Sequence, residues 1–178
     1  MIELLLIVVI VGIIASLAIP NLLAARRAAN EASAISTIRN YHSAQLAFQA
    51  TGGDGNYAGD VTGTINAFAV LANANLIDTE LSSGFKSGYF FQGLAIPRGA
   101  SNPASFIGAG IPSTFGSAAP LSVIGEMRHT GNRVFVISAD GVMRWESITG
   151  MADPSELTMQ VDVVDNAFVV TGGSLLGN

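Results

Sequence analysis

The chain opens with a long run of apolar residues that has one acidic residue at its head. From Leu4 to Ala25 no side chain is charged, and Glu3 precedes this run. As a helix rising 1.5 Å per residue, the run would be about 33 Å long, which is enough to cross a bilayer core of about 30 Å. Arg26 and Arg27 follow it directly. The pattern predicts a transmembrane helix with a basic C-terminal flank.

Glu3 has two explanations when the residues are taken alone. A carboxylate costs about 2.5 to 3.5 kcal/mol at the centre of a membrane helix, so such a group commonly has a partner. Alternatively, a residue near the start of the apolar run reaches back into the headgroups and water. Both explanations remain open at this point.

The helical pattern continues past the apolar run to Thr51, without a further glycine or proline, and ends at Gly52-Gly53. Ile35, Ile38, Tyr41, Gln45 and Phe48 recur at spacings of three and four, and a second row adds His42 and Leu46. The pattern predicts one helix of about 75 Å. Its first half is apolar all round, and its second half is apolar on one face.

Two helix breakers lie in the apolar half. Pro20 lacks an N–H, and its ring clashes with the carbonyl of Ser16, at about 3 kcal/mol in a rigid helix. Gly12 costs about 1 kcal/mol relative to alanine. We therefore expect a kink or a locally unwound segment between Gly12 and Pro20, with Ser16 as the nearby side chain able to bond freed carbonyls.

The charge order argues against a cleavable secretory signal. Such a signal has basic residues before its apolar run, whereas here they follow it, although Ser16-Leu17-Ala18 resembles a cleavage site. By the positive-inside rule this basic flank is cytoplasmic. If the bulk of the chain lies outside, residues upstream of Met1 must supply opposing charge, so we expect a processed product.

After Gly53 the pattern changes to short elements. We predict a helix at 65–77, a strand at 87–96, a long loop at 97–120, and strands at 121–129 and 133–138. Asp140-Gly141 predicts a hairpin turn into a strand that contains Trp145. The predicted fold is α+β, a long helix packed on a small antiparallel sheet, with Tyr41, Phe48, Phe135 and Trp145 in the core.

Four segments follow from these patterns. They are an apolar helix at 1–25, its amphipathic continuation at 26–51, a globular head at 52–146, and a C-terminal segment at 147–178. The last segment contains one or two strand-like runs. It either adds a strand to the sheet or forms an arm that reaches another subunit.

Composition narrows the function classes. The chain is 49% hydrophobic and only 12% charged, with a net charge of −5 and no cysteine. Disulfides, thiolate metal sites and covalent c-type haem attachment are therefore excluded. Basic residues are scattered, so we expect no direct nucleic-acid site.

Site chemistry is sparse. His42 and His129 are the only histidines, neither lies in a catalytic signature, and no phosphate-binding or zinc motif is present. We expect a partly buried, hydrogen-bonded His42 and no enzyme activity. Asp54, Asn56 and Asp60 resemble the start of a calcium loop, but Ile65 stands where the closing glutamate belongs. A second loose acidic group comprises Asp153, Glu156, Asp162 and Asp165. Solvated loop carboxylates explain both groups better than calcium does.

The N-terminal sequence MIELLLIVVIVGIIASLAIPNLLAARRAANEASA resembles the N-terminal helix of type IV pilins and of the pseudopilins of type II secretion. Glu3, Gly12 and Pro20 fall on the glutamate, glycine and proline of that family. Met1 matches the third mature residue, so the usual N-terminal Phe and its neighbour lie outside this sequence. A weaker resemblance covers TELSSGFKSGY and RVFVISADGVMRW in the head, and the segment after Trp145 is longer than the family leads us to expect.

The resemblance implies a pilin fold and a structural role without a cofactor. A prepilin peptidase would remove a basic leader, and the new N-terminus would be methylated. Glu3 would then pair with the N-terminal amine of a neighbouring copy as helices bundle into a filament. The implied partners are further copies of the chain and the assembly machinery of the inner membrane.

The resemblance leaves several functions open. The first is a type IV pilus-like surface filament, whose role in adhesion, motility, DNA uptake or electron transport the sequence does not specify. The alternative is a major pseudopilin in a short periplasmic filament. A third class, a membrane-anchored enzyme or receptor, would not need Glu3, Gly12 and Pro20 together.

Overall fold

The fold is α+β, as the sequence predicts. A computed structural model describes residues 1–100, 102–113, 130–148, 160–164 and 167–176. Helix α1 spans Ile2–Thr51 and α2 spans Ala67–Asn73, and a 3₁₀ turn follows at Thr79–Ser83. The strands are β1 (Phe85–Lys86), β2 (Tyr89–Ile96), β3 (Ser105–Pro112), β4 (Arg133–Ser138), β5 (Met143–Ser147), β6 (Gln160–Val164), β7 (Ala167–Thr171) and β8 (Ser174–Leu175).

Six strands form one antiparallel sheet in the order β1-β2-β3-β4-β5-β8. The predicted hairpin between β4 and β5 is confirmed, with Gly141 at φ 77° and its N–H donating to the carbonyl of Ser138 at 3.0 Å. Strand β8 pairs with β5, so part of the C-terminal segment does extend the sheet. Strands β6 and β7 form a separate two-stranded hairpin.

Helix α1 is α-helical without interruption through Gly12 and Pro20. Of the two expected alternatives, the locally unwound segment is therefore wrong, and the kink stays a prediction. Pro20 removes one backbone hydrogen bond, to the carbonyl of Ser16. The neighbouring turns keep their hydrogen bonds, so the helix continues. The hydroxyl of Ser16 donates to the carbonyl of Ile13 at 2.8 Å, inside its own turn.

The second half of α1 packs on the sheet through one buried stripe. Its members share the face expected from the spacing of apolar residues, and they are Glu31, Ala34, Thr37, Ile38, Tyr41, Ala44 and Gln45. Phe48 is partly buried against the same core. Leu46, which the second row placed inward, is 42% exposed, because it lies one residue beyond Gln45 and points off the stripe.

Small residues on β2 and β3 let the helix approach the sheet closely. Gly93 and Gly108 face each other across the two strands. A Cβ on Gly108 would lie 2.5 Å from Cε1 and 2.7 Å from Cδ1 of Tyr41, and one on Gly110 would lie 2.8 Å from Cδ1 of Ile38. These positions therefore accept no side chain while Tyr41 and Ile38 keep their places.

The predicted loop at 97–120 is wrong for Ser105–Pro112, which form the central strand β3. Both faces of β3 are covered, so its residues are buried almost continuously instead of alternating. The strand was not predicted because Gly108 and Gly110 stand where a strand usually has large β-branched or aromatic residues. The predicted strand at 121–129 and the end of the loop lie outside the described residues.

The second face of the sheet carries its own apolar cluster. Ile107, Val134, Val136 and Ile148 pack there with Val170 of β7. The β6–β7 hairpin therefore lies on the face opposite to α1. Helix α2 is shorter than the predicted 65–77. Asn66 caps its N-terminus, and the Asn66 side chain accepts from the N–H groups of Phe68 and Ala69.

We predict that Gly108→Ala destabilises the head by about 1 to 3 kcal/mol, because its Cβ would overlap the Tyr41 ring. Denaturant unfolding of the full chain in detergent, followed by circular dichroism, measures the change. Gly52→Ala is the matched control, since a Cβ there meets only Phe48 at 3.9 Å. Equal stabilities for the two variants would show that close packing at Gly108 is unimportant.

Candidate functional site

The first half of α1 presents an uncovered apolar surface. From Met1 to Arg26 every side chain is exposed except that of Ala15; Leu4 is 70% exposed and Leu17 is 68% exposed. Among the described residues, α1 is the one helix long and apolar enough to cross a membrane. Monomeric soluble proteins seldom expose an apolar surface of this size, and large exposed apolar surfaces are typical of sites that bind lipid or another chain.

Glu3 is exposed in the first turn of this helix. Its carboxylate has no hydrogen bond or ion pair with any described residue. A negative charge here favours the helix dipole by a few tenths to about 1 kcal/mol, but that contribution does not require a glutamate within an apolar segment. The carboxylate is therefore open to a group supplied from outside the chain.

Gly12 and Pro20 share the exposed surface with Glu3, and neither packs against another element in the described part of the chain. A Cβ on Gly12 would meet nothing within 4 Å. Pro20 is exposed and remains inside the helix, where it costs stability without an internal contact that compensates. The structure thus places the three predicted assembly residues on one continuous helix, and it supplies no reason for them within the head.

Glu31 is the first buried residue of α1 after the exposed half. The sequence patterns did not identify it as a site residue. Its Oε2 lies 2.6 Å from Nη2 and 2.7 Å from Nε of Arg133, and its Oε1 accepts from the N–H of Asn132 at 2.8 Å. Glu31 is buried, whereas the Arg133 side chain is 35% exposed. Position 31 lies seven residues before Ile38, in phase with the buried stripe, and this was the available signal.

Aromatic rings hold Arg133 in place. Its guanidinium carbon lies 5.1 Å from the centroid of Trp145 and 5.7 Å from that of Phe135. The hydroxyl of Tyr89 donates to the Arg133 carbonyl at 2.9 Å. Burial, followed by the charge of Glu31, raises the pKa of Tyr89 well above its ordinary value, so this hydroxyl remains a donor.

His42 lies between an aromatic ring and the turn that joins β4 to β5. His42 is partly buried beside Phe106, with ring centroids 5.5 Å apart, and it faces Gly141. Its Nε2 is buried and has no hydrogen-bond partner among the described residues, so within that part of the chain the expectation of a hydrogen-bonded histidine is wrong for this atom. The Phe106 ring and Gly141, which lie beside it, offer no polar side chain. His129 lies outside the described residues.

Two of the three calcium candidates, Asp60 and Asn56, accept hydrogen bonds from other groups of the chain. Asp60 accepts from the Thr62 hydroxyl at 2.8 Å and from the N–H of Ile65 at 3.2 Å. The Thr62 bond is the main reason that the pKa of Asp60 is lowered. Asn56 accepts from the N–H of Arg98 at 2.7 Å, and Asp54 has a positive φ of 49°. In the part of the chain that the structure describes, no group of three or more acidic or histidine side chains has metal-binding spacing. Asp153, Glu156 and Asp165, together with the side chain of Asp162, lie outside the described residues.

Comparisons with family models, with curated proteins and with solved structures found no match to this chain. The class of the protein therefore rests on its own structure. It is an α+β head carried by one end of a long helix whose other end is apolar, uncovered and able to cross a membrane.

We predict that Glu31→Ala destabilises the head by about 2 to 3 kcal/mol, because it leaves a buried N–H of Asn132 and a partly buried Arg133 without their acceptor. Glu31→Gln retains an acceptor and should lose less. Chemical denaturation measures both variants. Glu80→Ala, at an exposed position, is the control and should change the unfolding free energy by less than about 0.5 kcal/mol. Similar losses at positions 31 and 80 would contradict the assignment.

We also predict that calcium leaves the melting temperature of the head unchanged, since the side-chain oxygens of Asp60 and Asn56 already accept hydrogen bonds within the chain. Differential scanning fluorimetry with calcium and with a chelator measures this. The control is Asp60→Asn, which should melt at one temperature in both buffers. A calcium-dependent rise in the unmodified chain, lost in the variant, would contradict the prediction.

Proposed function

We propose that the chain is the structural subunit of a type IV pilus-like filament, in which the apolar halves of many α1 helices form the core. The observation that carries this proposal is the division of α1. One half is packed firmly on the sheet, and the other half exposes almost all of its apolar side chains. The resemblance of the first 34 residues to type IV pilins supports the same conclusion.

The exposed half supplies the driving force for assembly. Full burial of one leucine, isoleucine or valine side chain contributes about 1.5 to 3 kcal/mol, and at least a dozen such side chains lie between Ile2 and Leu23. A membrane covers them before assembly. Neighbouring helices cover them when the chain leaves the membrane, because the surface would otherwise face water.

Glu3 gives this assembly its register. In an apolar bundle, an isolated carboxylate and an isolated ammonium each lose their hydration, and pairing removes much of that cost. We assign Glu3 to pair with the N-terminal amine of a neighbouring copy. A bundle with the wrong stagger would leave both charges unpaired, so the pair selects one stagger among many that bury the same apolar area.

Gly12 fits the same role. A glycine on the surface of an apolar helix lets a second helix approach closely, as small residues do in membrane helix packing. The open space around Gly12 is compatible with such a neighbour. Pro20 lies between Gly12 and the head, where its missing N–H weakens the ladder and allows the helix to bend during packing.

The proposed life cycle has two stages. A prepilin peptidase and the assembly machinery of the inner membrane act on the membrane-anchored chain, and the assembled filament then lies at the cell surface. Long fibres in a preparation sheared from cells are the expected observation. Loss of protein secretion on deletion, with no such fibres, would favour the pseudopilin role in a short periplasmic filament.

The central prediction concerns Glu3. Glu3→Ala should leave the amount of chain in the membrane fraction unchanged and reduce filament yield at least tenfold, because the stagger is no longer selected. Electron microscopy of sheared material and immunoblots of membranes measure the two quantities. Glu80→Ala serves as the matched loss of one exposed carboxylate. Wild-type filament yield from the Glu3 variant would reject the role of this residue.

A further inference from the structure

Two polar side chains interrupt the uncharged run of α1. Between the two ends of that run, only Ser16 and Asn21 carry polar side chains. The Ser16 hydroxyl donates to the carbonyl of Ile13 at 2.8 Å. Asn21 is exposed, and its amide forms no hydrogen bond with a described residue. Because an amide loses its hydration in an apolar environment, a covered Asn21 needs a partner from outside the chain.

Pro20 leaves an acceptor close to this amide. In an α-helix the carbonyl of Ser16 would accept from the N–H of residue 20, and proline has no N–H. This carbonyl therefore lies in the exposed half of α1 without its helical donor. The Ser16 hydroxyl is already bonded to Ile13, so Asn21 is the remaining side-chain donor of the uncharged run.

The helix presents the donor and the acceptor on different faces. Asn21 lies eighteen residues after Glu3, which is five turns at about 3.6 residues per turn, so the two side chains share one face. Gly12 lies nine residues after Glu3, on the opposite face, and Ser16 follows Gly12 by about one turn. A contact between one face and the opposite face of the next copy is heterologous, and such contacts repeat into open helical filaments.

We infer that Asn21 donates a hydrogen bond to the carbonyl of Ser16 in a neighbouring copy, and that this bond is a second determinant of filament register. The two groups are level when the copies are displaced by five residues, or about 7.5 Å along the helix. Gly12, on the acceptor face, has open space around it, which allows close approach. Asn21 is thus a positioning residue. Since the neighbour is a further copy, this inference rests on the proposed filament.

The proposed pairing of Glu3 requires a displacement in the same direction. An N-terminal amine two residues before Met1, as the resemblance implies, lies four residues before Glu3, or about 6 Å along the helix. A copy displaced toward the head by this length offers its amine to Glu3 and its Ser16 carbonyl to Asn21 of the same neighbour. The two displacements differ by about 1.5 Å, which side-chain rotation can span. One stagger therefore satisfies both contacts.

The test uses cysteine crosslinks in fibres sheared from cells, because the chain has no cysteine of its own. Leu5 lies on the face of Gly12 and Ile10 on the face of Glu3, so a displacement of five residues brings Leu5 of one copy to Ile10 of the next. Leu5→Cys with Ile10→Cys should give a ladder of oligomers on oxidation. Val9→Cys with Ile10→Cys is the matched control, one turn away on the same face, and should give a weaker ladder.

Asn21→Leu keeps the approximate size of the side chain and removes the amide. In its fibres the first ladder should lose its advantage over the second. The ratio of chain in fibres to chain in membranes should fall about three- to tenfold, as expected for one hydrogen bond between apolar helices. Asn21→Gln retains an amide and should recover part of both quantities. Asn73→Leu, at an exposed position in the head, should change neither.

The outcomes separate this inference from the proposed function. Equal ladders in fibres of the chain with Asn21, an unchanged difference between the ladders in Asn21→Leu fibres, or an equal fall in the Asn73→Leu chain would overturn the inference. Fibres that depend on Glu3 but keep their register without Asn21 would reject the inference alone. Absence of fibres from the unmodified chain would reject the proposed filament and, with it, the role of Asn21.

Discussion

The rest of the structure depends on the packing of the Tyr41 ring against glycines of the sheet. Gly93 and Gly108 leave room for the ring, and the buried hydroxyl donates to the carbonyl of Ile107 at 3.3 Å. Gln45 donates to this hydroxyl and bonds both the N–H and the carbonyl of Ala58, each at 2.8 Å. Tyr41 and Gln45, on one face of α1, thereby hold both strand β3 and the loop that follows the helix. Burial raises the pKa of Tyr41 far above its ordinary value, so the hydroxyl stays neutral.

A second contact between α1 and the sheet holds the helix in a fixed orientation. Glu31 and Arg133 join α1 to β4 about 15 Å along the helix from Tyr41. Two contacts at this separation prevent the helix from rocking on the sheet, which a single contact would allow. The direction in which α1 leaves the head, as far as Pro20, is therefore set by these two contacts. In a filament of the proposed kind, every copy would then hold its head in the same way on the helix segment that follows Pro20.

The free chain is an incomplete structure, because half of its longest element has no apolar partner. The head satisfies its own interior with clusters on both faces of the sheet. The exposed half of α1 has no such option, and lipid or further helices must supply its surroundings. The apolar run is bounded by charged residues, with Glu3 at one end and Arg26 and Arg27 at the other. Lipid or neighbouring helices would therefore have to cover the segment between these charges.

Local patterns were sufficient wherever one side chain or one spacing decides the structure. The uncharged run, the stripe through Ile38 and Tyr41, and the Asp140-Gly141 turn all depend on neighbours close in sequence, and each was predicted. Strand β3 and the ion pair of Glu31 were not. A glycine strand has no hydrophobic pattern of its own, and it becomes a strand because Tyr41 from a distant helix fills the space above it. Glu31 is buried only because Arg133, 102 residues further along, reaches its carboxylate. Spacing along the chain shows which face of a helix is turned inward, but the groups that it meets there are chosen by the packing of remote elements.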